Sequence, residues 1–416
     1  MKTEFQNLSL TRSNENWHKY FIIFILALSL SGSALAIFMD SGSVPAWPLD
    51  QSFANVDIRI YQKDGHWQFH YPRLQHAGGI TASLLIGLYK LIFTPSDSSL
   101  NWHVRIFSMI AFLGSSHLLV TALIKSNLMR AIALILIATT GFQFIQPSSE
   151  IIAGSFFSLF LTALARKWHP AIIAFFLIAF GFCKVELTLC AIFIGLYWIY
   201  RLPGERRSIA IMLMFGFSTL FLFPGLVVNK LDAVLGSRGF ESFSQHYSAL
   251  VAPLQFNREE QIDPWINSNK IMSTSFPGVS SVKEIILNHS RQYFSYLALS
   301  LMQSMASIAY VFKLLIFTII LSLLTREDKS KIPEQDKITS IAFIISIIPA
   351  IFFAFVHIRY AARFYPAIIC SIIAGQDILE RKVNPFNRKF FALCALGTIG
   401  WQIYDIPWIW NNSHGL

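Results

Sequence analysis

Charge is what this chain has least of. Only 13% of its 416 residues are charged, against 54% hydrophobic, where an ordinary soluble domain carries about 25% charged residues. That scarcity excludes a soluble globular protein and a disordered one alike. Cysteine is nearly as sparse. Cys183, Cys190, Cys370 and Cys394 all lie inside apolar runs, which argues against a disulfide framework and against a cysteine metal site. Internal repeats and low-complexity tracts are missing, and with them the solenoids and the inverted repeats of many transporters. His66, His70 and His76 fall close together, but their spacing matches no standard ligand set and reads as loop histidines near lipid headgroups.

What is there is a succession of apolar runs of about bilayer-spanning length, at 21–38, 103–124, 131–146, 151–165, 170–182, 185–200, 209–228, about 297–324, 338–356, 361–376 and 389–409. Runs of this kind are too long and too apolar for barrel strands. The expected fold is an all-α polytopic membrane protein with roughly eleven transmembrane helices. A polar start of some twenty residues and an apolar run long enough to span make 21–38 an uncleaved anchor, although Ala34-Leu35-Ala36 mimics a signal-peptidase site.

The net charge of +10 does not point to nucleic acid, because the basic residues cluster in short loops at 125–130, 166–167, 201–207, 325–337 and 380–389. Such clustering is a topology signal. If the short, Gly-rich run 76–93, broken by Lys90, lies as an amphipathic helix at the outer interface, every one of those loops falls in the cytoplasm. If it crosses, they all fall outside. The expected topology is therefore N-terminus inside and C-terminus outside. The outer face receives the 39–102 loop with its interfacial helix and a long ordered loop at 229–296.

Charged residues then recur at the outer ends of spans: Asp50, Glu150, Lys184, Glu186, Arg359 and Arg363. Ionisable groups at membrane depth cost about 2.5–3.5 kcal/mol each, so they face a cavity or pair with one another. A cavity lined by cations and carboxylates suits a lipid-phosphate substrate. The cations would bind phosphate through charge-assisted hydrogen bonds, and a carboxylate would act as general base toward an acceptor hydroxyl.

Several short motifs follow one another in a recognisable order. They are Asp50-Gln51-Ser52-Phe53, Asp64-Gly65-His66-Trp67, His70-Tyr71-Pro72, Arg105, Glu150, Cys183-Lys184, and Arg359-Tyr360 with Pro366. This order resembles the GT-C superfamily of glycosyltransferases that use polyprenyl-phosphate sugars. The protein O-mannosyltransferases and lipid A aminoarabinose transferases are the nearest in pattern. The resemblance implies a catalytic acid in the first outer loop, at Asp50, and donor-phosphate binding by Lys184, Arg359 and Arg363. It differs at Gln51, which stands for the family's second acid, and at Arg73, which stands for a second Pro. No cofactor is implied with certainty, and a divalent cation stays open.

Each residue also has a plainer reading. Asp50 could be a solvated carboxylate or a helix N-cap, with Asp40, at the mouth of the first span, as the alternative base. Asp57 would share a helical face with Asp50 if 50–62 is helical. Together with Glu150 and His70 it is assigned to the acceptor or the cavity. Lys184 could snorkel to the headgroups, Glu186 could neutralise it, and Arg359 and Arg363 could be interfacial anchors four residues apart on one face. Lys313 is either a snorkelling residue or a second cation facing a lipid groove.

The expected function is an inverting, integral membrane glycosyltransferase at the outer face of a bacterial cytoplasmic membrane. Its partners would be a polyprenyl-phosphate sugar, a glycan, lipid or protein acceptor, and membrane lipids. The rivals are a glycan polymerase or ligase, a transporter or flippase of lipid-linked substrates, and a non-catalytic scaffold.

Overall fold

The computed structural model describes residues 59–63, 66–70, 79–93, 97–140, 149–229, 238–255, 268–324, 334–353, 360–361, 363–379 and 385–412. The run 21–38 and Asp40, Asp50, Asp57 and Arg359 lie outside them, as do the side chains of His66, His70 and Arg105. The protein is helical apart from one antiparallel hairpin, β1 (Arg59–Lys63) and β2 (His66–His70). Ile60, Tyr61, Trp67 and Phe69 favour extended backbone, and the register pairs Lys63 with His66. A helix over the whole of 50–62 is thus corrected for its last part: residues 59–62 are strand, while the face that Asp50 and Asp57 would share lies outside the described residues.

The first helices are α1 (Gly79–Phe93), α2 (Asp97–Leu123), α3 (Asn127–Ala138), α4 (Ser149–Ala165), α5 (Pro170–Gly181), α6 (Val185–Arg201) and α7 (Gly204–Asn229). From α4 to α7 the connections are two to four residues long, and short connections make neighbours antiparallel. Helix α2 packs along α4, α4 along α5, and α5 along both α6 and α7. Segment 229–296 contains α8 (Arg238–Gln255), α9 (Ser268–Ser275) and α10 (Val282–Asn288). Together with the start of the following helix they build a small aromatic core from Phe243, Tyr247, Phe276, Tyr293 and Tyr296. Helices α11 (Ser290–Phe312), α12 (Leu315–Leu324), α13 (Glu334–Phe353), α14 (Tyr365–Leu379) and α15 (Pro385–Asn412) complete the chain.

Alternation sorts the charged residues between two ends of the bundle. At one end lie Lys125, Arg130, Arg166, Lys167, Arg201, Arg206 and Arg207, where arginines cap helix carbonyls left without intrahelical donors. Arg130 Nε donates to Ile124 O at 2.6 Å, and Arg207 Nη2 donates to Leu202 O at 3.1 Å. Arg201 also faces Glu334 of α13 at 3.9 Å. The opposite end holds the starts of α4 and α6.

Two sequence expectations change here. The run 297–324 is not one helix, because α11 stops at Phe312 and Lys313 takes φ +48°, ψ −128° before α12 begins. Such a conformation costs of order 1–3 kcal/mol in a non-glycine residue. Helix α1 is not amphipathic either. Ile80, Ala82 and Ile86 are buried, while Leu85, Leu88, Ile92 and Phe93 are exposed, so its free side is as apolar as its packed one.

Among the described residues, Gly204–Pro224 and Ser290–Phe312 have the length and hydropathy to cross a bilayer. Helix α7 leaves Ile211, Met212, Phe215, Leu220 and Phe223 uncovered. An apolar surface this continuous requires a lipid or protein neighbour.

Helix α1 is latched onto the α5–α6 turn. Ile80 N and Thr81 N donate to Phe182 O at 2.8 and 3.2 Å, and Thr81 Oγ1 donates to Ala179 O at 2.8 Å. Gly79 makes this approach possible: its φ is +57°, and a Cβ there would collide with the carbonyl groups of Phe182 and Cys183. Replacing Gly79 by Ala should cost about 2 kcal/mol or more of stability, from backbone strain and overpacking together. Gly216→Ala, where nothing lies within 4 Å of the added carbon, should leave stability unchanged or slightly raised. Thermal unfolding of both variants in one detergent decides the matter, and equal melting temperatures would refute the latch.

Candidate functional site

Local sequence places carboxylates at two helix starts on the end opposite the arginine-rich turns. Glu150 lies in the first turn of α4 and Glu186 in the first turn of α6. There the helix dipole favours a negative charge by about 0.3–1 kcal/mol. Lys184 occupies the extended N-cap position of α6 without a side-chain capping bond, so its ammonium is free to reach sideways. It pairs with Glu150 across 34 positions of sequence.

The other half of the cluster comes from the approach to α14. Phe364 is fully buried and packs its ring on Phe157 at 5.2 Å, Phe343 at 5.9 Å and Phe180 at 6.1 Å. That aromatic plug fixes the turn in which Arg363 sits. On the facing helix, Gly154 lets the turn come close, since a Cβ there would lie 2.9 Å from Arg363 O. Arg363 therefore has little freedom. Its Nε donates to Tyr360 O at 3.0 Å, and Nη1 and Nη2 both reach Glu186 Oε1 at 3.3 Å.

Tyr360 joins the two halves. The Lys184 ammonium and the Arg363 guanidinium each lie 5.0 Å from the centre of its ring, within the range in which a cation is drawn to an aromatic face. Among the described residues, the result is a cluster of two cations and two carboxylates with one aromatic floor. Its side chains grade from deep to accessible: Arg363 is 1% exposed, Glu150 3%, Lys184 16% and Glu186 25%.

Of the residues singled out from the sequence, Glu150, Lys184, Glu186 and Arg363 are brought together. Glu186 does not neutralise Lys184, as expected; it partners Arg363, because Glu150 already holds the lysine. Arg363 lies in a turn ahead of α14, and the expected face shared with Arg359 involves a residue outside the described ones. His70 is in β2.

A second charged pair sits at the α11–α12 break. Lys313 pairs with Asp405 of α15, with its ammonium 4.1 Å from the Tyr310 ring centre and 4.9 Å from that of Trp401. Lys313 is thus neither snorkelling nor facing an open groove; an acid and two rings enclose it. Next to it, Gln402 accepts from Thr139 Oγ1 at 2.6 Å and donates to Tyr365 OH at 2.9 Å. Asp405 and Gln402 were missed from the sequence, and Tyr360 entered only as part of the Arg359-Tyr360 motif, without a role of its own. For Asp405 a signal existed, an acid inside the last apolar run.

Among the described residues no group of three or more His, Cys, Asp or Glu could hold a metal ion. Comparison with family models finds no match. Searches of the curated proteins and of the solved structures likewise return no similar protein.

A buried ion pair broken on one side costs about 3–5 kcal/mol, because the remaining charge is left uncompensated. Glu150→Ala and Lys184→Ala should each destabilise on that scale, while the double variant should cost less than their sum by about 0.5–3 kcal/mol. A double-mutant cycle from denaturant unfolding measures this, and strict additivity would mean that the pair is not formed.

Proposed function

We propose that the chain is an integral membrane glycosyltransferase that moves a sugar from a polyprenyl-phosphate donor to an acceptor hydroxyl. In this reading the bundle has roughly eleven spans, its arginine-rich end is cytoplasmic, and the four-charge cluster faces the outer side. What carries the reading is the meeting of Glu150, Lys184, Tyr360, Glu186 and Arg363 at one end of the helices. Cations able to hold a phosphate thus lie opposite the basic loops, as the positive-inside rule requires of an outer site. Helix α1 supports it further: its start is latched beside Lys184, so the chain from the first loop enters the bundle at the cluster.

The chemistry is a single displacement. The Asp50 carboxylate takes the proton of the acceptor hydroxyl as its oxygen attacks the anomeric carbon. The bond from that carbon to the phosphate oxygen breaks with its electron pair, and configuration inverts. Negative charge then grows on the departing lipid phosphate, where Lys184, Arg359 and Arg363 stabilise it. Asp40 is the alternative base, and Asp57, Glu150 and His70 line the acceptor side.

One observation favours a second reading. The Lys313–Asp405 pair is buried beside the rings of Tyr310 and Trp401, and buried ionisable pairs of this kind serve transporters as charge relays. A transporter or flippase of lipid-linked substrates would move its substrate without turnover.

The deciding assay incubates the purified protein in nanodiscs with a panel of polyprenyl-phosphate monosaccharides and candidate acceptors, and measures released lipid phosphate. One donor should turn over, and Asp50→Asn should lower that rate by about 10²–10⁴. An Asp50→Asn protein with wild-type turnover would overturn the base assignment. Substrate movement between leaflets without lipid-phosphate release would favour the transporter.

A further inference from the structure

The two cations of the cluster are held differently. Lys184 is gripped by Glu150, a carboxylate almost sealed from solvent in the first turn of α4. Arg363 is fixed in place, but its fork is incompletely matched. Its two terminal nitrogens share one oxygen, Glu186 Oε1, at 3.3 Å each, whereas an arginine fork is satisfied by two acceptor oxygens at about 2.7–2.9 Å. Only its Nε is firmly placed, on Tyr360 O.

Among the described residues, two cations of the cluster face two carboxylates. An anion that takes a seat on either of these cations has to displace its carboxylate. Glu150 cannot withdraw without leaving a buried, unpaired charge, which is costly. Arg363 cannot follow a ligand outward, because Gly154 and the buried Phe364 clamp its backbone. Glu186 is the member with a way out, being the most exposed of the four and at the accessible start of α6.

We infer that Glu186 is an internal stand-in for phosphate. It occupies the anion seat on Arg363 while the site is empty and swings toward solvent when a phosphate monoester takes that seat with two oxygens. This rests on the reading of the cluster as a lipid-phosphate site. It assigns Arg363, rather than Lys184, as the cation that exchanges partners, and it makes Glu186 a determinant of affinity.

The test uses the full chain in nanodiscs of zwitterionic lipid, with a polyprenyl monophosphate as probe, the neutral polyprenol as control and inorganic phosphate as a separate arm. Removing the competing carboxylate with Glu186→Gln should tighten binding of the phosphate lipid about tenfold or more. Glu150→Gln, which frees Lys184 and leaves Glu186 on Arg363, should tighten it less than Glu186→Gln. Glu186→Asp, whose shorter side chain retracts the carboxylate from Arg363, should shift affinity in the same direction as Glu186→Gln and serves if the glutamine variant fails to fold. Tightening for inorganic phosphate as well would place recognition in the phosphate group alone; tightening for the lipid only would add the isoprenoid chain. Either supports the inference. If wild type binds and neither Glu186 variant binds more tightly, the stand-in role falls while the lipid-phosphate reading stands. If neither wild type nor any variant binds the phosphate lipid above the polyprenol control, both fall.

Discussion

The price of removing a charge from water governs this molecule. With charge so scarce in the sequence, each ionisable side chain drawn into the helix bundle has to find a partner or it destabilises the fold. The partners found are specific and distant in sequence: Glu150 for Lys184, Glu186 for Arg363, Asp405 for Lys313. Each pair staples elements that apolar packing alone would hold in less definite register. The first joins the start of α4 to the α5–α6 turn, the second joins α6 to the approach of α14, and the third joins the α11–α12 break to α15. Aromatic rings stand beside all three, and their faces supply attraction without adding a further charge to be desolvated.

Backbone contacts make this pairing possible. Glycines at 79 and 154 let main chain meet main chain at the two places where the cluster is assembled, and Phe364 anchors the turn that delivers Arg363. The cluster is therefore preorganised from below, by an apolar plug, and from the side, by the α1 latch. The same rigidity that suits a site for a developing charge leaves mobility to its most exposed member.

Much of this was legible in the sequence, for identifiable reasons. Apolar runs bounded by basic turns forecast α2 to α7 closely, because helix length and loop charge are local properties. Glu150, Lys184, Glu186 and Arg363 stood out as charges at run ends, and all four meet. Which acid serves which cation was not legible, since that depends on how α4, α6 and the α14 approach cross in space. Nor was the break at Lys313. Hydropathy sees 297–324 as continuous, and the backbone turns there although the residue is not glycine. The hairpin at 59–70 was hidden because its pairing runs between five-residue strands too short to impose a clear period.

The distribution of charge also bears on function. If the clusters served stability alone, a well-packed apolar replacement would do as well or better, since buried ion pairs seldom exceed hydrophobic isosteres in net stability. Scattering would then be expected as readily as concentration. Instead four charges and a shared tyrosine ring occupy one end of the bundle, where α1 is latched and the first loop joins it. The opposite end carries arginines that are occupied with capping carbonyls. Under the proposed reading, one end is finished and the other is the site. A cluster whose most accessible member is a single carboxylate would then let an anionic ligand enter by exchanging one partner.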